Sequence, residues 1–309
     1  MRVITGGGAF TFRNITDLNN NFAELGGVDL WVRPQVGSDS GSDGTYDNAF
    51  RTMSGLTSAG KLVTGVTIGL EGVLTEEFTT PLGVNNVTIV GDQVTPRQAT
   101  TSGVPNGGGA TWLSPSSGTG TLLKVRGQGW TVANIYFNNS ATAAACVQVL
   151  TDGAGDPPVD ADGAHFLLKH CILTGTDDGL NANGGTNFIT VDGCTFFGFS
   201  GSGDMAISTT AGAGVGTLLG WVITNCTFRS NASHIVAALS HARILNNTFD
   251  TASASVINLT GGVAPNFVVG NRFNIAAANF DPDGGVTGVT GDCWSNTLTD
   301  AIETGLPAN

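Results

Sequence analysis

The chain has 309 residues, of which 46 are glycine and 12% are charged, and its formal net charge is −12 at pH 7. This acidity excludes nucleic acid and anionic membranes as partners, because both require a basic surface. No apolar run reaches the roughly 18 residues of a membrane-spanning helix, and no signal peptide is evident at the N-terminus. Abundant glycine, threonine, asparagine and valine favours short strands joined by tight turns.

Residues 1–30 are predicted to form a separate arm with one short helix. The helix spans Asn14–Leu25, with Asn14 as its N-cap and Gly26-Gly27 as its end. Its apolar side chains recur on one face, at Ile15, Leu18, Phe22 and Leu25. A helix this short must pack on something. Either it packs on its own domain, or three copies bundle on a threefold axis and attach the protein to a larger particle.

Residues 31–309 are predicted to form one elongated domain, beginning with a strand over Asp29–Pro34. A second helix is expected over Asp47–Gly60, with Asp47 as its N-cap. In a stacked fold the end layer is unpaired and apolar, so a covering element is needed. We therefore expect Phe50, Met53 and Leu56 to cap the N-terminal end, and we expect a neighbouring subunit to cover the C-terminal end.

A short phrase recurs after residue 60, consisting of a β-branched run, a polar turn and a closing apolar residue. The closing residues are spaced by 36, 23, 32, 21, 24 and 25 residues, at Phe137, Leu173, Phe196, Phe228, Phe249, Phe273 and Leu298. Similar runs lie near Ile68, Ile89 and Leu113, at steps of 21 and 24. A period of about 20 to 25 residues is typical of a coil of stacked rungs, and we count about ten rungs.

The residue two places before each closing residue is predicted to form an interior ladder. Residues of the same parity on a strand face the same side, so these side chains stack on successive rungs. Asparagine tolerates the left-handed backbone of a sharp bend and can hydrogen-bond along the axis, and cysteine is a small apolar substitute. The ladder residues are Cys171, Cys194, Cys226, Asn247, Asn271 and Asn296.

The phrases NCTF, NNTF and GNRF, with the opening SDSGSDGTYDNAFRTM, resemble the right-handed parallel β-helix proteins of pectate-lyase type. That group includes phage tailspikes and pectinases. The resemblance covers about Gly37 to Asp300 and implies an all-β fold, a single-stranded right-handed parallel β-helix (solenoid). It does not imply one activity, because one scaffold hosts many.

Carboxylates in two regions are the candidate catalytic groups. Asp177 and Asp178 lie in the phrase GTDDG, which is similar to an aspartate pair in polygalacturonases, and carboxylates on one face supply acid and base. The histidine-glycine and arginine-x-lysine phrases of that family are not found; SHARI supplies His241 and Arg243. The alternative is that both aspartates are solvated turn residues.

The insert 151–163 and the aromatic residues offer further candidates. No zinc pattern occurs, and Ca²⁺ is a candidate at Asp160 and Asp162, although the spacing of a calcium loop is incomplete. Tryptophans could stack on sugars or belong to the core, at Trp112, Trp130, Trp221 and Trp294. Five cysteines without paired spacing are expected to be free thiols.

These features lead to two functional hypotheses. The N-terminal segment NITDLNNNFAEL looks like the attachment segments of phage tail proteins, so we expect a virion structural protein of a tailed phage, made in the host cytoplasm. In that interpretation it is a homotrimeric fibre, spike or capsid decoration that binds other virion proteins through its N-terminus and contacts host surface polysaccharide. The alternative is an enzyme that degrades polysaccharide, a hydrolase or lyase, using Asp177 and Asp178.

Overall fold

The structure is a computed structural model that describes residues 27–91, 110–140, 144–150, 164–183, 186–210, 218–250, 256–259 and 265–274, and the backbone of 286–287, 293–294, 297–298 and 301–302. These residues contain one helix, α1 (Met53–Ser58), and short strands. In chain order the strands are β1 (Leu30–Val32), β2 (Thr67–Leu70), β3 (Val73–Thr75), β4 (Phe78–Thr79), β5 (Thr88–Gly91), β6 (Thr111–Leu113), β7 (Leu123–Val125), β8 (Thr131–Ala133), β9 (Tyr136–Asn139), β10 (Val147–Val149), β11 (Leu167–Lys169), β12 (Ile172–Gly175), β13 (Leu180–Asn183), β14 (Thr190–Asp192), β15 (Thr195–Phe197), β16 (Met205–Thr210), β17 (Leu218–Leu219), β18 (Val222–Thr224), β19 (Thr227–Arg229), β20 (Ser233–Val236), β21 (Leu239–Ser240), β22 (Arg243–Leu245), β23 (Thr248–Phe249), β24 (Ile257–Asn258), β25 (Phe267–Val269), β26 (Arg272–Phe273), β27 (Val286–Thr287), β28 (Cys293–Trp294), β29 (Thr297–Leu298) and β30 (Ala301–Ile302).

The strands form three long sheets that run along the molecule. Sheet A is β1-β2-β5-β8-β11-β14-β18-β22-β25-β28, sheet B is β3-β6-β9-β12-β15-β19-β23-β26-β29-β30, and sheet C is β27-β24-β20-β16-β13-β10-β7-β4. The pairs within them are parallel, apart from the antiparallel pair β29–β30. Each rung gives one strand to each sheet in turn, as β11, β12 and β13 do, so the chain winds into a single-stranded parallel β-helix, as expected.

The register confirms the predicted period. Leu173 pairs with Phe137 and Phe196, and the pairing continues through Phe228, Phe249, Phe273 and Leu298. Sheet A has ten strands, in agreement with about ten rungs. One step of the earlier rhythm is wrong: Ile89 pairs with Val132 in sheet A, whereas Leu113 belongs to sheet B.

Inward-facing side chains fill the coil as columns. The rings of Phe196 and Phe228 stack with centroids 5.1 Å apart, those of Phe228 and Phe249 at 4.9 Å, and those of Phe249 and Phe273 at 5.1 Å. The column exists because every second residue of a strand points inward and parallel neighbours are in register. The core is therefore continuous along the axis.

The ladder residues stack beside this column. Cys171, Cys194, Cys226, Asn247 and Asn271 are buried, while Asn296 lies outside the described residues. The expectation that the ladder residue itself adopts the left-handed backbone is wrong. That conformation belongs to the residue before it, as in Asn225 and Asn246, both with φ 56°. The left-handed residue turns the chain with its own side chain exposed, which aims the next one inward.

The N-terminal end differs from the predicted helix in its bounds. Helix α1 begins after Thr52, whose side chain accepts the Gly55 N–H, so Thr52 rather than Asp47 is the N-cap. Phe50 lies outside the helix and forms a parallel bridge with Val32 on β1. This pairing takes residues up to 50 out of the helix. Phe50, Met53 and Leu56 are all buried in the core cluster; that they block end-to-end growth stays a prediction.

Of the two alternatives for the tryptophans, sugar stacking or a place in the core, the structure shows the core for three of them. Trp112, Trp130 and Trp221 are fully buried, and their indole N–H groups donate to backbone carbonyls of Glu76, Val84 and Thr186. They are not available to stack on a sugar. The Trp294 side chain and the attachment residues Ile15, Leu18, Phe22 and Leu25 lie outside the described residues. No described helix is long and apolar enough to cross a membrane.

Candidate functional site

Asp177 and Asp178 lie in the turn that leads from sheet B to sheet C, directly before β13. The turn is close to the next rung, because an added Cβ on Gly179 would lie 2.5 Å from the Ala206 carbonyl oxygen. Glycine is therefore required at the end of the phrase GTDDG. This contact fixes the position of both aspartates along the axis of the coil.

The Asp178 carboxylate is held by three donors. Its Oδ1 accepts the Met205 N–H at 3.0 Å, and its Oδ2 accepts Asn181 Nδ2 at 3.3 Å and the Ser208 hydroxyl. Asn181 Nδ2 also donates to Ser208 Oγ at 2.7 Å. The side chain of Asp178 thus lies over β13 and β16, on the outer face of sheet C.

A polar row crosses this face of sheet C. Lys124, Gln148, Asn181 and Ser208 pair in register on successive strands. Gln148 Nε2 donates to Asn181 Oδ1 at 3.1 Å. The flanking residues Leu180 and Ala182 are buried in the core, so the row must point outward. We call these four side chains the polar row.

Asp204 is a further carboxylate that the sequence analysis did not select. It precedes β16 as Asp177 precedes β13, and the register Leu180–Ile207 places the two aspartates on adjacent rungs. Its Oδ2 accepts the Gly201 N–H at 2.7 Å, and the residue is buried. Asp177 and Asp204 are 27 residues apart, which is the length of the rung at this point. The sequence did not reveal this relation, because the rung length is known only from the register of β13 and β16. We call Asp177, Asp178 and Asp204 the acidic turn.

Burial and mutual repulsion favour protonation in the acidic turn. Burial raises the pKa of Asp177, and the negative charges of Asp178 and Asp204 raise it further. Burial also raises the pKa of Asp178, although hydrogen bonds from Ser208, Met205 and Asn181 act in the opposite direction. A carboxyl group with a raised pKa can donate a proton, and a neighbouring carboxylate can accept one. In the polar row beside it, the partly exposed Lys124 and Gln148 offer donors and an acceptor for hydroxyl groups.

The other predicted groups are not brought to this turn. His241 and Arg243 lie at β22 in sheet A, whereas the acidic turn joins sheets B and C. Asp160 and Asp162, the Ca²⁺ candidates, lie outside the described residues. Within the described part of the chain, no group of three or more histidine, cysteine, aspartate or glutamate side chains is arranged to hold a metal ion.

No protein-family profile and no curated protein sequence matches the chain. Among solved structures, it is similar to a rice weevil pectin methylesterase, with a TM-score of 0.53 and 13% identity over 85% of this chain and 90% of that chain. Pectate lyase Pel9A gives 0.52 and 13%, over 89% and 79% of the two chains. The chain shares their parallel β-helix fold. At this identity the likeness extends to the fold alone.

A phage protein with this fold is also similar. The Dettilon tailspike superposes with a TM-score of 0.37 and 15% identity, over 88% of this chain and 67% of that chain. So loose a superposition does not distinguish one β-helix from another.

Proposed function

We propose that the chain is a virion protein of a tailed bacteriophage that forms a homotrimer and binds host surface polysaccharide on the outer face of sheet C. The virion part is supported by the segment NITDLNNNFAEL and the opening SDSGSDGTYDNAFRTM. The polysaccharide part is supported by the polar row, in which Lys124 and Gln148 are partly exposed beside the buried Asn181 and Ser208. A net charge of −12 suits an exposed, soluble particle surface.

The virion location is tested by labelling whole particles with an antibody to this chain and viewing them by electron microscopy. Label is expected on the particle, at the tail for a spike or fibre and over the head for a decoration protein. Unlabelled particles would contradict the proposal. Deleting residues 1–28 should abolish attachment while the circular dichroism of the β-helix is retained, and a native mass measurement should give three copies.

The polysaccharide site is tested with purified host surface polysaccharide in a calorimetric titration. Lys124→Ala and Gln148→Ala remove the two partly exposed members of the polar row and should weaken binding about fivefold each, since a hydrogen-bonding group contributes about 1 kcal/mol. Thr248→Ala is the matched control, because Thr248 occupies an outward strand position on sheet B. Equal affinities for all the variants would place the glycan elsewhere.

A second function, polysaccharide cleavage, is favoured by the raised pKa values of Asp177 and Asp178 beside Asp204. In a hydrolase of this kind one protonated aspartate gives its proton to the glycosidic oxygen. A second aspartate takes a proton from the water whose oxygen bonds to the sugar carbon. The two functions combine in a spike that depolymerises the polysaccharide it binds.

Release of reducing ends from host polysaccharide distinguishes the two functions. Cleavage by the parent protein that is lost in Asp177→Asn and Asp178→Asn, with folding intact, would establish the enzyme. The exposed Asp47→Asn serves as the control. A parent protein that binds but releases no ends would leave the structural role alone.

A further inference from the structure

The turns that lead into the strands of sheet A contain a column of residues with left-handed backbone. They precede the strands of sheet A on successive rungs, and their φ values lie between 55° and 84°, at Gly65, Asn86, Gly129, His165, Phe188, Gly220 and His241. Glycine, asparagine and histidine are the residues that tolerate this conformation best. The column is therefore built mainly from residues that suit the turn.

Phe188 is the exception in this column. Its φ is 60°, a strained value for a bulky side chain, and its surface is 48% exposed. An aromatic side chain at such a place incurs backbone strain and leaves apolar surface in water. Neither effect helps the turn, since residues such as Asn86 fill the same position without them. Strain of this kind is concentrated at functional sites.

The surroundings of Phe188 hold its ring in one place. The His165 ring lies 5.1 Å away between centroids and is tilted by 11°. The two rings are nearly parallel and lie about one rung apart, as the rings of Phe196 and Phe228 do in the core. On the other side the ring fills the space beside Gly220, where an added Cβ would lie 2.6 Å from Phe188 Cδ1.

Leu219 extends this apolar surface. The Phe188 N–H donates to the Leu219 carbonyl at 2.8 Å, and the Leu219 N–H donates to Asn187 Oδ1 at 2.8 Å. Leu219 is 40% exposed. We call His165, Phe188 and Leu219 the aromatic ledge. Phe188 and Leu219 contribute exposed apolar surface to it, and His165 contributes an exposed imidazole.

The ledge and the acidic turn border sheet C on opposite sides. Asp178 lies just before β13 and Phe188 follows that strand, with the polar row between them. The four residues of β13, at about 3.3 Å each, make sheet C roughly 13 Å wide at this rung. An oligosaccharide lying along the strands would meet the acidic turn, then the polar row and then the ledge.

We propose that the aromatic ledge is an apolar contact subsite for a neutral pyranose ring of the polysaccharide bound on sheet C. A pyranose has an apolar C–H face, which packs on an aromatic ring, and hydroxyl groups at its rim, which hydrogen-bond to imidazole nitrogens. The three carboxyl groups of the acidic turn and the net charge of −12 disfavour a uronic acid. The inference rests on the proposed binding of polysaccharide.

Four histidines in the chain provide the measurement, through the imidazole signals of ¹⁵N-labelled protein. Methyl glucoside, galactoside, mannoside and rhamnoside, all pyranosides, are added, with methyl glucuronide as the charged comparison. Addition of at least one neutral sugar should shift the signals of His165 and leave those of the buried His234 unchanged. The glucuronide should bind more weakly than its neutral counterpart.

Phe188→Asn is the decisive variant, because Asn86 shows that the column accepts asparagine. It should unfold at no lower a denaturant concentration than the parent and should bind the sugar at least about fivefold more weakly. Phe188→Tyr should keep the affinity. Leu82→Ala, at a side chain that is 50% exposed elsewhere, is the matched control and should have no effect.

Two results would overturn the inference, and they differ in what they leave standing. Sugar or host polysaccharide that binds with unchanged affinity to Phe188→Asn, or without a shift at His165, removes the ledge but leaves the proposed function. A parent protein that binds neither the pyranosides nor host polysaccharide in calorimetry removes the glycan function as well.

Discussion

The interior ladder has two segments that occupy the same position with different chemistry. In the cysteine segment, Cys171, Cys194 and Cys226 direct their sulfur atoms at backbone carbonyl oxygens one rung earlier, at 3.7, 3.5 and 3.6 Å. In the asparagine segment, the Nδ2 atoms of Asn247 and Asn271 donate to the equivalent oxygens at 2.9 and 2.8 Å. The two segments have the same backbone path, but their hydrogen bonds between rungs differ in strength.

The acceptor side differs in the same way. Asn247 Oδ1 accepts the Cys226 N–H at 2.8 Å and Asn271 Oδ1 accepts the Asn247 N–H at 2.9 Å, whereas Cys194 Sγ meets the Cys171 N–H at 3.4 Å. Sulfur is a weak acceptor and a thiol is a weak donor. Asparagine therefore links rungs by hydrogen bonds, and cysteine mainly fills the space. The two segments should respond differently to the same substitution.

The largest expected effect is that of Asn247→Ala. It removes the partner of the Cys226 N–H and one of the donors to the Ile223 carbonyl, both inside the coil. The unsatisfied N–H and the cavity left by the side chain should lower the free energy of unfolding by about 4 kcal/mol, which urea unfolding measures. Cys194→Ala is the comparison and should cost about 1 kcal/mol. Equal losses would mean that the two segments hold the rungs alike.

Acidification should also destabilise the asparagine segment, through His234. Its ring lies between Phe228 and Phe249, with both centroids at 5.8 Å. Nδ1 accepts Asn231 Nδ2 at 3.0 Å, so Nε2 carries the proton and donates to the Asp250 carbonyl at 2.6 Å. Burial lowers the pKa of His234 to about 4, and the hydrogen bond to Asp250 opposes this only in part.

The sign follows from proton binding. Between about pH 6.5 and pH 4 the unfolded chain binds a proton at His234 that the folded chain does not, so stability falls as the pH falls through this window. The loss at this residue should approach about 3 kcal/mol. His234→Gln removes the titrating group, so the stability of the parent relative to the variant should fall by about 3 kcal/mol between pH 6.5 and pH 4. The raised pKa values of Glu76, Asp177 and Asp178 act in the opposite sense in both proteins and cancel in that difference.

Cys226→Asn should make the cysteine segment resemble its neighbour. An asparagine there would donate to the Val191 carbonyl, which now faces a sulfur atom at 3.6 Å, as Asn247 donates to Ile223. We expect a gain of about 1 kcal/mol in the free energy of unfolding, one added hydrogen bond. A loss would show that the cavity at this rung is shaped for sulfur.

The fold could be predicted because its information is repeated. Closing residues such as Phe228 and Phe249 recur once per rung, and an error at one rung is corrected by the next. The wrong details lie where repetition stops. Residues 47–52 look helical alone, but Phe50 pairs with Val32, a contact that no local pattern indicates. Leu113 fits the rhythm by distance although it belongs to another sheet.

The candidate site was harder to predict than the fold because it combines residues from several rungs. Asp177 and Asp178 stand out as a pair, but Asp204 is one aspartate in a glycine-rich loop until the register places it on the next rung. Phe188 was equally hard to find from the sequence. It lies in the run TNFITV, which indicates a strand, whereas the left-handed φ of 60° at Phe188 is set by the turn between sheets C and A. Geometry across rungs, which no single phrase contains, therefore defines the surface.

The smallest expected effect is in thiol chemistry and leaves stability unchanged. Cys146, Cys171, Cys194 and Cys226 are buried free thiols, and burial raises the pKa of Cys146 to about 12 and that of Cys194 well above its usual value. A buried thiol with a raised pKa is unreactive, because the thiolate is the nucleophile. At pH 8, therefore, a disulfide reagent should modify at most one of the five cysteines in the folded protein and all five in urea. If the weakly hydrogen-bonded cysteine segment opens locally, these thiols would react in the folded protein faster than global unfolding allows. Such a rate would show that the comparison between the two segments extends from stability to dynamics.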